Sequence, residues 1–129
     1  MNICVYGAVN DNIDKSYKEY GKQLGKKIAE RNYGLVFGGM KDGMLGAVAT
    51  GASFNSNIPI IAIMPEFFKE TKKSDIFEKC TQIIFTKDIS ERKKQFIQHS
   101  DAIIITPGGV GTLDEFFDAV CNKRWGVFW

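Results

Sequence analysis

Three glycine-bearing turns in this sequence have the residue types that bind phosphate through the backbone. Each directly follows a short apolar run: Gly7, Gly38-Gly39 and Gly108-Gly109-Val110-Gly111. Glycine lets backbone amides approach an anion, and the following helix presents free N–H groups and the positive end of its dipole. The three turns together predict a phosphate cradle. The chain lacks the GxxxxGK[ST] loop, a GxGxxG after its first strand and the GxSxG elbow, which argues against P-loop NTPases, dinucleotide-dependent dehydrogenases and serine hydrolases.

Charged residues near the third turn allow two interpretations each. Thr112-Leu113-Asp114-Glu115 has capping-box spacing, in which Glu115 returns a hydrogen bond to the start of its helix. Alternatively, Glu115 brings a carboxylate to the mouth of the cradle, where it polarises a water or stabilises a cationic sugar transition state. The run from Glu91 to Lys94 is either a solvated helix face or carries an arginine, Arg92, that points at a phosphate or a departing base.

The elements that must position these residues alternate along the chain. Strands are predicted over Ile3–Tyr6, Leu35–Phe37, Pro59–Met64, Cys80–Phe85 and Ala102–Thr106. Helices are predicted over residues 16–31, from Gly43 to about Phe54, over Asp88–Ser100 and from near Thr112 onward, with a polar loop and some helix at 66–75. The strands are apolar on both faces, which predicts an α/β fold: a Rossmann-like open parallel sheet with helices on both faces, in a single domain over residues 1–129.

Two packing details follow from the same patterns. The spacing of Gly21 and Gly25 in the first helix indicates that its backbone approaches a neighbour closely. The last helix is predicted to turn four residues toward the core: Phe116, Phe117, Val120 and Cys121.

The composition excludes several classes of protein. The 129 residues are 44% hydrophobic and 25% charged with a net charge of +2, too balanced for a nucleic-acid coat or a membrane anchor. The balanced charge therefore gives no reason to expect a nucleic-acid partner. No uninterrupted apolar run approaches ~18 residues and no signal-peptide pattern is present, so we expect no membrane partner either. Three scattered cysteines favour a reducing cytoplasm, and the single histidine, His99, excludes a multi-histidine zinc site and is interpreted as structural.

The motifs resemble one enzyme family. Pro107–Glu115 matches the PGGxGTxxE motif of the Lonely Guy (LOG) family, the cytokinin riboside 5′-monophosphate phosphoribohydrolases long labelled possible lysine decarboxylases. Glu91-Arg92-Lys93 is similar to the second motif of that family, and Gly38–Ala49 is similar to its GGGxxGLMGxVA segment. The motifs occur in the expected order across almost the whole chain.

The resemblance implies an activity and a set of roles. Members of the family are Rossmann-like, usually homodimeric, and need no metal and no cofactor. They hydrolyse the N-glycosidic bond of a nucleoside 5′-monophosphate, such as AMP or a cytokinin riboside monophosphate, to free base and ribose 5-phosphate. By resemblance, Arg92 and Glu115 are the catalytic pair. Further residues would hold the 5′-phosphate (Gly108, Gly109, Gly111 and Thr112) or contact the substrate elsewhere (Gly7, Gly38, Gly39 and Lys93). Lysine decarboxylation is not expected, because no lysine stands out as a site for pyridoxal phosphate.

Departures from the family pattern keep a second function open. Gly7-Ala8-Val9-Asn10 replaces a GSS-like first turn, Met40 replaces a glycine, and Ser90 stands where many members have histidine. The tail from Lys123 to Trp129 does not follow the family's continuation, so a truncated form that lacks the last strand and helix is expected, with an exposed sheet edge. The alternative function is a nucleotide-binding or sensing module of the same fold that does not hydrolyse its ligand.

Overall fold

The computed structural model describes residues 1–126 as alternating strands and helices. Its strands are β1 (Asn2–Tyr6), β2 (Gly34–Phe37), β3 (Ile60–Pro65), β4 (Gln82–Thr86) and β5 (Ala102–Ile105). Its helices are α1 (Lys15–Glu30), α2 (Gly43–Ala52), α3 (Phe68–Thr71), α4 (Ile89–Gln98) and α5 (Val110–Arg124), with a 3₁₀ turn at Lys73–Asp75. The last three residues of the tail that departs from the family pattern, Val127 to Trp129, lie outside the described residues.

The strands form one parallel sheet in the order β4-β3-β2-β1-β5. After β1 the chain builds outward through β2 and β3 to β4, and then crosses back to place β5 on the other side of β1. Such a reversal opens a crevice at the carboxyl ends of the two strands between which it occurs. The predicted α/β fold with a parallel sheet is confirmed, and its switch point lies between β1 and β5.

Side chains of the central strands alternate between two buried clusters, one on each face of the sheet. Ile3 and Val5 of β1 pack in the cluster that includes buried residues of α1 and α2. Cys4 and Tyr6 pack in the other cluster, which includes Phe96 of α4. Both faces of the sheet are therefore covered by helices, as the apolar strands predict.

Glycines bring α1 and α2 into backbone contact. A Cβ at Gly25 would lie 2.0 Å from the carbonyl oxygen of Val48, and one at Gly51 would lie 2.1 Å from that of Lys22. A Cβ at Gly21 would meet its nearest neighbour at 3.1 Å. The predicted close approach of the first helix to a neighbour through Gly21 and Gly25 is confirmed, and that neighbour is α2.

Helix α5 differs from the prediction in both its start and its orientation. It begins at Val110, two residues before Thr112, because Gly109 is the N-cap residue. The predicted inward orientation of Phe117, Val120 and Cys121 is wrong, since all three side chains are exposed, while Phe116 is half-buried. The inward face instead carries three smaller or polar residues at helical spacing: Thr112, Glu115 and Ala119. Bulky side chains on that face would fill the crevice between β1 and β5.

Candidate functional site

A cavity of about 280 Å³ lies at the switch point of the sheet. The turn after β1, the turn after β2, α4 and the start of α5 all contribute to its walls, although they are far apart in the chain. Seven residues predicted from the sequence line it: Gly7, Gly38, Arg92, Gly109, Gly111, Thr112 and Glu115. Three others predicted there, Gly108, Gly39 and Lys93, lie outside its lining.

The N-terminus of α5 opens onto this cavity without a side-chain cap. Gly109 has no side chain to offer, and a Cβ at Gly109 or Gly111 would meet nothing within 4 Å. Within the described residues, no acceptor is bonded to the first three backbone N–H groups of the helix, and the Leu113 N–H is the first to donate, to the Gly109 carbonyl at 3.1 Å. These free amides and the helix dipole favour an anion at this point.

At the start of each of the other long helices, a carboxylate accepts a hydrogen bond from one backbone amide. The Ser16 N–H donates to Asp14 at the start of α1 at 2.9 Å, and the Glu91 N–H donates to Asp88 at the start of α4 at 2.8 Å. At the start of α2, the Gly43 N–H donates to Asp11 at 3.2 Å. Of the helices with eight or more residues in the described part of the chain, α5 is therefore the one at whose start no side chain accepts a hydrogen bond from a backbone amide.

The turn after β2 holds an arginine. The Arg92 Nε donates to the carbonyl oxygen of Ile63 at 2.9 Å, and its Nη2 donates to that of Gly38 at 3.0 Å. A Cβ at Gly38 would lie 2.5 Å from Nη2, so glycine is required here to leave room for the guanidinium. Gly39 has a φ of +96° and packs against Met64 instead of facing the cavity.

The turn after β1 is close-packed for a similar steric reason. A Cβ at Gly7 would lie 2.0 Å from the Thr106 hydroxyl oxygen, which itself donates to the Tyr6 carbonyl at 2.8 Å. The Ala8 N–H donates to the Pro107 carbonyl at 3.0 Å, and the Ala8 carbonyl accepts from the Leu45 N–H at 3.2 Å. Of the three turns predicted as phosphate cradles, the third alone, in residues 1–126, leaves a helix N-terminus with free amides.

Arg92 is buried between aromatic rings. Its guanidinium carbon lies 5.2 Å from the centroid of the Phe96 ring and 5.6 Å from that of Phe68, both within range of cation–π attraction. Burial lowers the pKa of Arg92, while the nearby Glu115 carboxylate works in the opposite direction. The two carbonyl acceptors and the two rings fix the orientation of this cation in the wall of the cavity.

Glu115 faces the same cavity from α5. Because Gly109 is the N-cap, Thr112 is the third residue of the helix and Glu115 the sixth, so Glu115 is too far along to bond the helix start. The capping-box interpretation of Thr112 and Glu115 is therefore wrong. Burial raises the pKa of the Glu115 carboxyl to about 7, against the lowering effect of the Arg92 charge.

The charged residues Glu91 to Lys94 of α4 have different surroundings. Arg92 points into the cavity wall, whereas Glu91 caps the helix: its carboxylate accepts from the Lys87 N–H at 2.5 Å, and its own N–H donates to Asp88. The carboxylates of Asp88 and Glu91 thus both accept hydrogen bonds from backbone amides at the start of α4. Lys93 forms an ion pair with Asp114 of α5 at 3.1 Å, and Lys94 is exposed.

Sequence reasoning missed Tyr6 as a cavity residue. It is the last residue of β1, is 2% exposed, and meets the Phe96 ring edge-on with 5.5 Å between centroids. Burial raises the pKa of its phenol far above the ordinary value, so the hydroxyl stays protonated. Its position directly before Gly7, at the end of a predicted strand, is the sequence signal that could have identified it as a cavity residue.

Residues 1–126 contain neither a candidate metal site nor a candidate membrane-spanning helix. No group of three or more His, Cys, Asp or Glu side chains is arranged to hold a metal ion in this part of the chain. None of its helices combines the length and the apolar character that a membrane crossing requires.

Comparison with known proteins matches residues 45–127 to the family model described as "Possible lysine decarboxylase". A probable cytokinin riboside 5′-monophosphate phosphoribohydrolase of Oryza sativa subsp. japonica is 30% identical over 97% of this chain and 49% of its own length. A cytokinin riboside 5′-monophosphate phosphoribohydrolase of Arabidopsis thaliana is also 30% identical, over 97% of this chain and 57% of its own length. The chain thus spans about half the length of these relatives.

Solved structures share the fold at lower identity. The molybdenum cofactor binding protein from Rippkaea orientalis superposes with a TM-score of 0.78 at 23% identity, over 95% of this chain and 72% of that protein. The Moco carrier protein from Chlamydomonas reinhardtii gives 0.78 at 24% identity, over 94% and 70%. Both likenesses support the Rossmann-like architecture.

Proposed function

This chain belongs to the possible lysine decarboxylase family, which includes the LOG phosphoribohydrolases, and on that premise we propose that it hydrolyses the N-glycosidic bond of a nucleoside 5′-monophosphate. The products are the free base and ribose 5-phosphate. One observation carries the proposal: an uncapped helix N-terminus, a carboxylate and a fixed arginine share a single cavity at the switch point of the sheet. AMP and cytokinin riboside monophosphates are the proposed substrates.

The 5′-phosphate binds at the start of α5. The free N–H groups there and the Thr112 hydroxyl supply donors, and the absence of Cβ atoms at Gly109 and Gly111 lets phosphate oxygens approach the backbone. Gly108 acts indirectly, because a Cβ there would lie 2.1 Å from the Thr112 hydroxyl oxygen and displace it. With the phosphate at this end of the cavity, the ribose extends toward Glu115, which lies one helical turn beyond Thr112.

Glu115 acts on the sugar. The C1′–N bond breaks with its electron pair leaving on the base, and positive charge develops on the ribose as in glycoside hydrolysis. The ionised Glu115 carboxylate stabilises that charge, orients the attacking water and accepts its proton. The proton then passes to the departing base or to solvent, and the water oxygen remains on C1′.

Arg92 has a positioning and electrostatic role. Held by the Ile63 and Gly38 carbonyls, it cannot move far, and its positive charge lies close enough to Glu115 to favour the ionised carboxylate. It offsets the negative charge of the departing base. No lysine lines the cavity within the described residues, which gives no support to pyridoxal-dependent decarboxylation.

The direct test is the release of adenine and ribose 5-phosphate from AMP by the purified protein. Glu115→Gln is expected to lower release at least about a hundredfold, because the amide cannot carry the charge that stabilises the cationic sugar. Glu30→Gln, on the exposed end of α1, is the matched control and should retain full activity. Cytokinin riboside monophosphate assayed in parallel compares the two proposed substrates.

A binding module without hydrolysis is the second candidate. It is favoured by the first turn, in which Ala8 and Val9 line the cavity without a hydroxyl group. AMP that raises the melting temperature of the wild type without any adenine release would support this alternative and contradict the hydrolase.

We also propose a homodimer in a reducing cytoplasm. Three apolar residues form an exposed stripe on α5, and burial against a second copy would remove it from water: Leu113, Phe117 and Val120. The three cysteines are free thiols. Light scattering that gives twice the chain mass, and the chain mass alone for Phe117→Glu, would support the dimer; a monomeric wild type would contradict it.

A further inference from the structure

An ion pair joins α4 to α5 at the rim of the cavity. Lys93 Nζ lies 3.1 Å from Asp114 Oδ1, and each partner is the immediate sequence neighbour of a candidate catalytic residue, Arg92 or Glu115. We propose that this pair, called here the 93–114 strap, is a positioning device that fixes the separation of Arg92 and Glu115 across the cavity. Its meaning for catalysis rests on the proposed function.

The two candidate catalytic residues are anchored to different parts of the molecule. Arg92 is bonded to carbonyl oxygens at the ends of β2 and β3, on one side of the switch point. Glu115 is carried by α5, whose buried Ala119 packs in the cluster that also contains Cys4 and Tyr6 of β1, Phe96 of α4 and residues of β2 and β3. The crevice of the sheet opens between these anchors, and the 93–114 strap is the ion pair that spans it in the described residues.

The strap also assigns a role to Lys93 that differs from the expected substrate contact. Its side chain is 21% exposed and that of Asp114 is 49% exposed, so the pair lies at the surface and contributes little to overall stability. Its value is geometric, since both side chains point toward each other and away from the cavity lining. Lys93 also offsets the Asp114 charge, which would otherwise repel a phosphate at the start of α5.

The charged groups around Glu115 make the strap measurable. Burial raises the pKa of Glu115; Arg92 and Lys93 of α4 lower it, and Asp114 of α5 raises it. From β1, Tyr6 and Cys4 also face this region, and burial keeps the phenol and the thiol neutral. The Asp118 carboxylate, one turn further along α5, also acts on Tyr6. The two halves of the strap therefore shift the Glu115 titration in opposite directions.

The test compares Lys93→Met, Asp114→Asn and the charge-reversed double variant Lys93→Asp/Asp114→Lys. Each single variant removes the ion pair between α4 and α5, and small displacements of reacting groups are costly, so we expect kcat for adenine release from AMP to fall about tenfold with KM within about twofold. The charge-reversed variant re-forms an ion pair in the same place and is expected to recover kcat to within about threefold of the wild type.

A substrate contact by Lys93 gives a different result. Lys93→Met would then raise KM, Asp114→Asn would behave as the wild type, and the charge-reversed variant would be no better than Lys93→Met. That pattern would overturn the strap.

A second readout separates failure of the strap from failure of the proposed hydrolase. The Glu115 carboxyl is titrated by carbon-13 NMR in all variants, which requires no turnover. The strap predicts a higher midpoint in Lys93→Met, a lower one in Asp114→Asn, and a return toward the wild-type value in Lys93→Met/Asp114→Asn. Unmoved midpoints in both single variants would overturn the strap even if the wild type releases no adenine.

Discussion

Glu115 is poised between its two protonation states at neutral pH. Its pKa of about 7 is the outcome of burial, which disfavours the carboxylate, and of the Arg92 charge, which favours it. A group that both accepts and returns a proton works best with a pKa near the operating pH. The same residue makes folding stability depend on pH, because its ordinary pKa of 4.5 applies to the unfolded chain.

The stability of the wild type should therefore fall as pH rises from 4.5 to 7. Across this range the folded protein keeps a proton that the unfolded chain has already released, so deprotonation favours unfolding. Glu115→Gln removes this term and should be more stable than the wild type by about 1–3 kcal/mol at pH 8, with little difference at pH 4.5. Urea unfolding at both pH values measures this, and an equal difference at the two would show that Glu115 titrates normally.

A substitution at Gly38 tests whether the fixed position of the Arg92 guanidinium matters for activity. In Gly38→Ala the added methyl group would meet Nη2 at 2.5 Å, so the guanidinium must move away from the Gly38 carbonyl. We expect a folded protein that is about 1–3 kcal/mol less stable, because the site is overpacked, and a loss of adenine release of about tenfold or more. The Arg92 Nε proton resonance reports the displacement. Unchanged activity together with a shifted resonance would contradict the proposed role of Arg92 in the reaction.

Helix α5 combines the two proposed functional features within two turns. Its uncapped start offers amides to an anion, and its sixth residue is the Glu115 carboxylate. Leaving an N-terminus uncapped costs stability, typically about 1 kcal/mol relative to a good cap. Helices α1 and α4 are capped by Asp14 and Asp88, and the first amide of α2 donates to Asp11. The exception is explained if a bound phosphate satisfies the amides.

Gly111→Ala should separate binding from stability. A Cβ at Gly111 meets no protein atom within 4 Å, and alanine is the better helix former by about 1 kcal/mol, so the free energy of unfolding should rise. The same methyl group projects into the proposed phosphate site and should weaken AMP binding at least about tenfold. Calorimetric titration with AMP and urea unfolding measure the two effects. Tighter or unchanged AMP binding would contradict a phosphate site at the start of α5.

The strand and helix pattern could be predicted from the sequence, but the orientation of α5 could not. Buried parallel strands reveal themselves as continuous apolar runs, as in β3 and β5. In α5, the apolar stripe that contains Phe117 and Val120 was expected to face the core, yet the helix turns its polar side inward around a cavity. The sequence around Arg92 likewise carries no signal that carbonyls of two distant strands hold its guanidinium.

At the scale of the whole molecule, topology brings the site together. The turns after β1 and β5 are about a hundred residues apart in sequence, yet they adjoin because the strand order reverses between them. Arg92 is contributed by α4, and its guanidinium donates to the carbonyl oxygens of Gly38, directly after β2, and of Ile63, in β3. A chain that spans about half the length of its named relatives thus contains both members of the proposed catalytic pair.

The most direct measurement is kcat/KM for adenine release from AMP between pH 5 and pH 9 in the wild type and in Glu115→Gln. In the wild type we expect kcat/KM to rise with pH, to reach half its maximum near pH 7 and to level off above it, because the ionised carboxylate is the active form. In Glu115→Gln we expect a loss of at least about a hundredfold, with no inflection of its own near that pH. An inflection shared by both proteins belongs to the substrate phosphate. No adenine release, or release that Glu115→Gln leaves intact, would contradict the account.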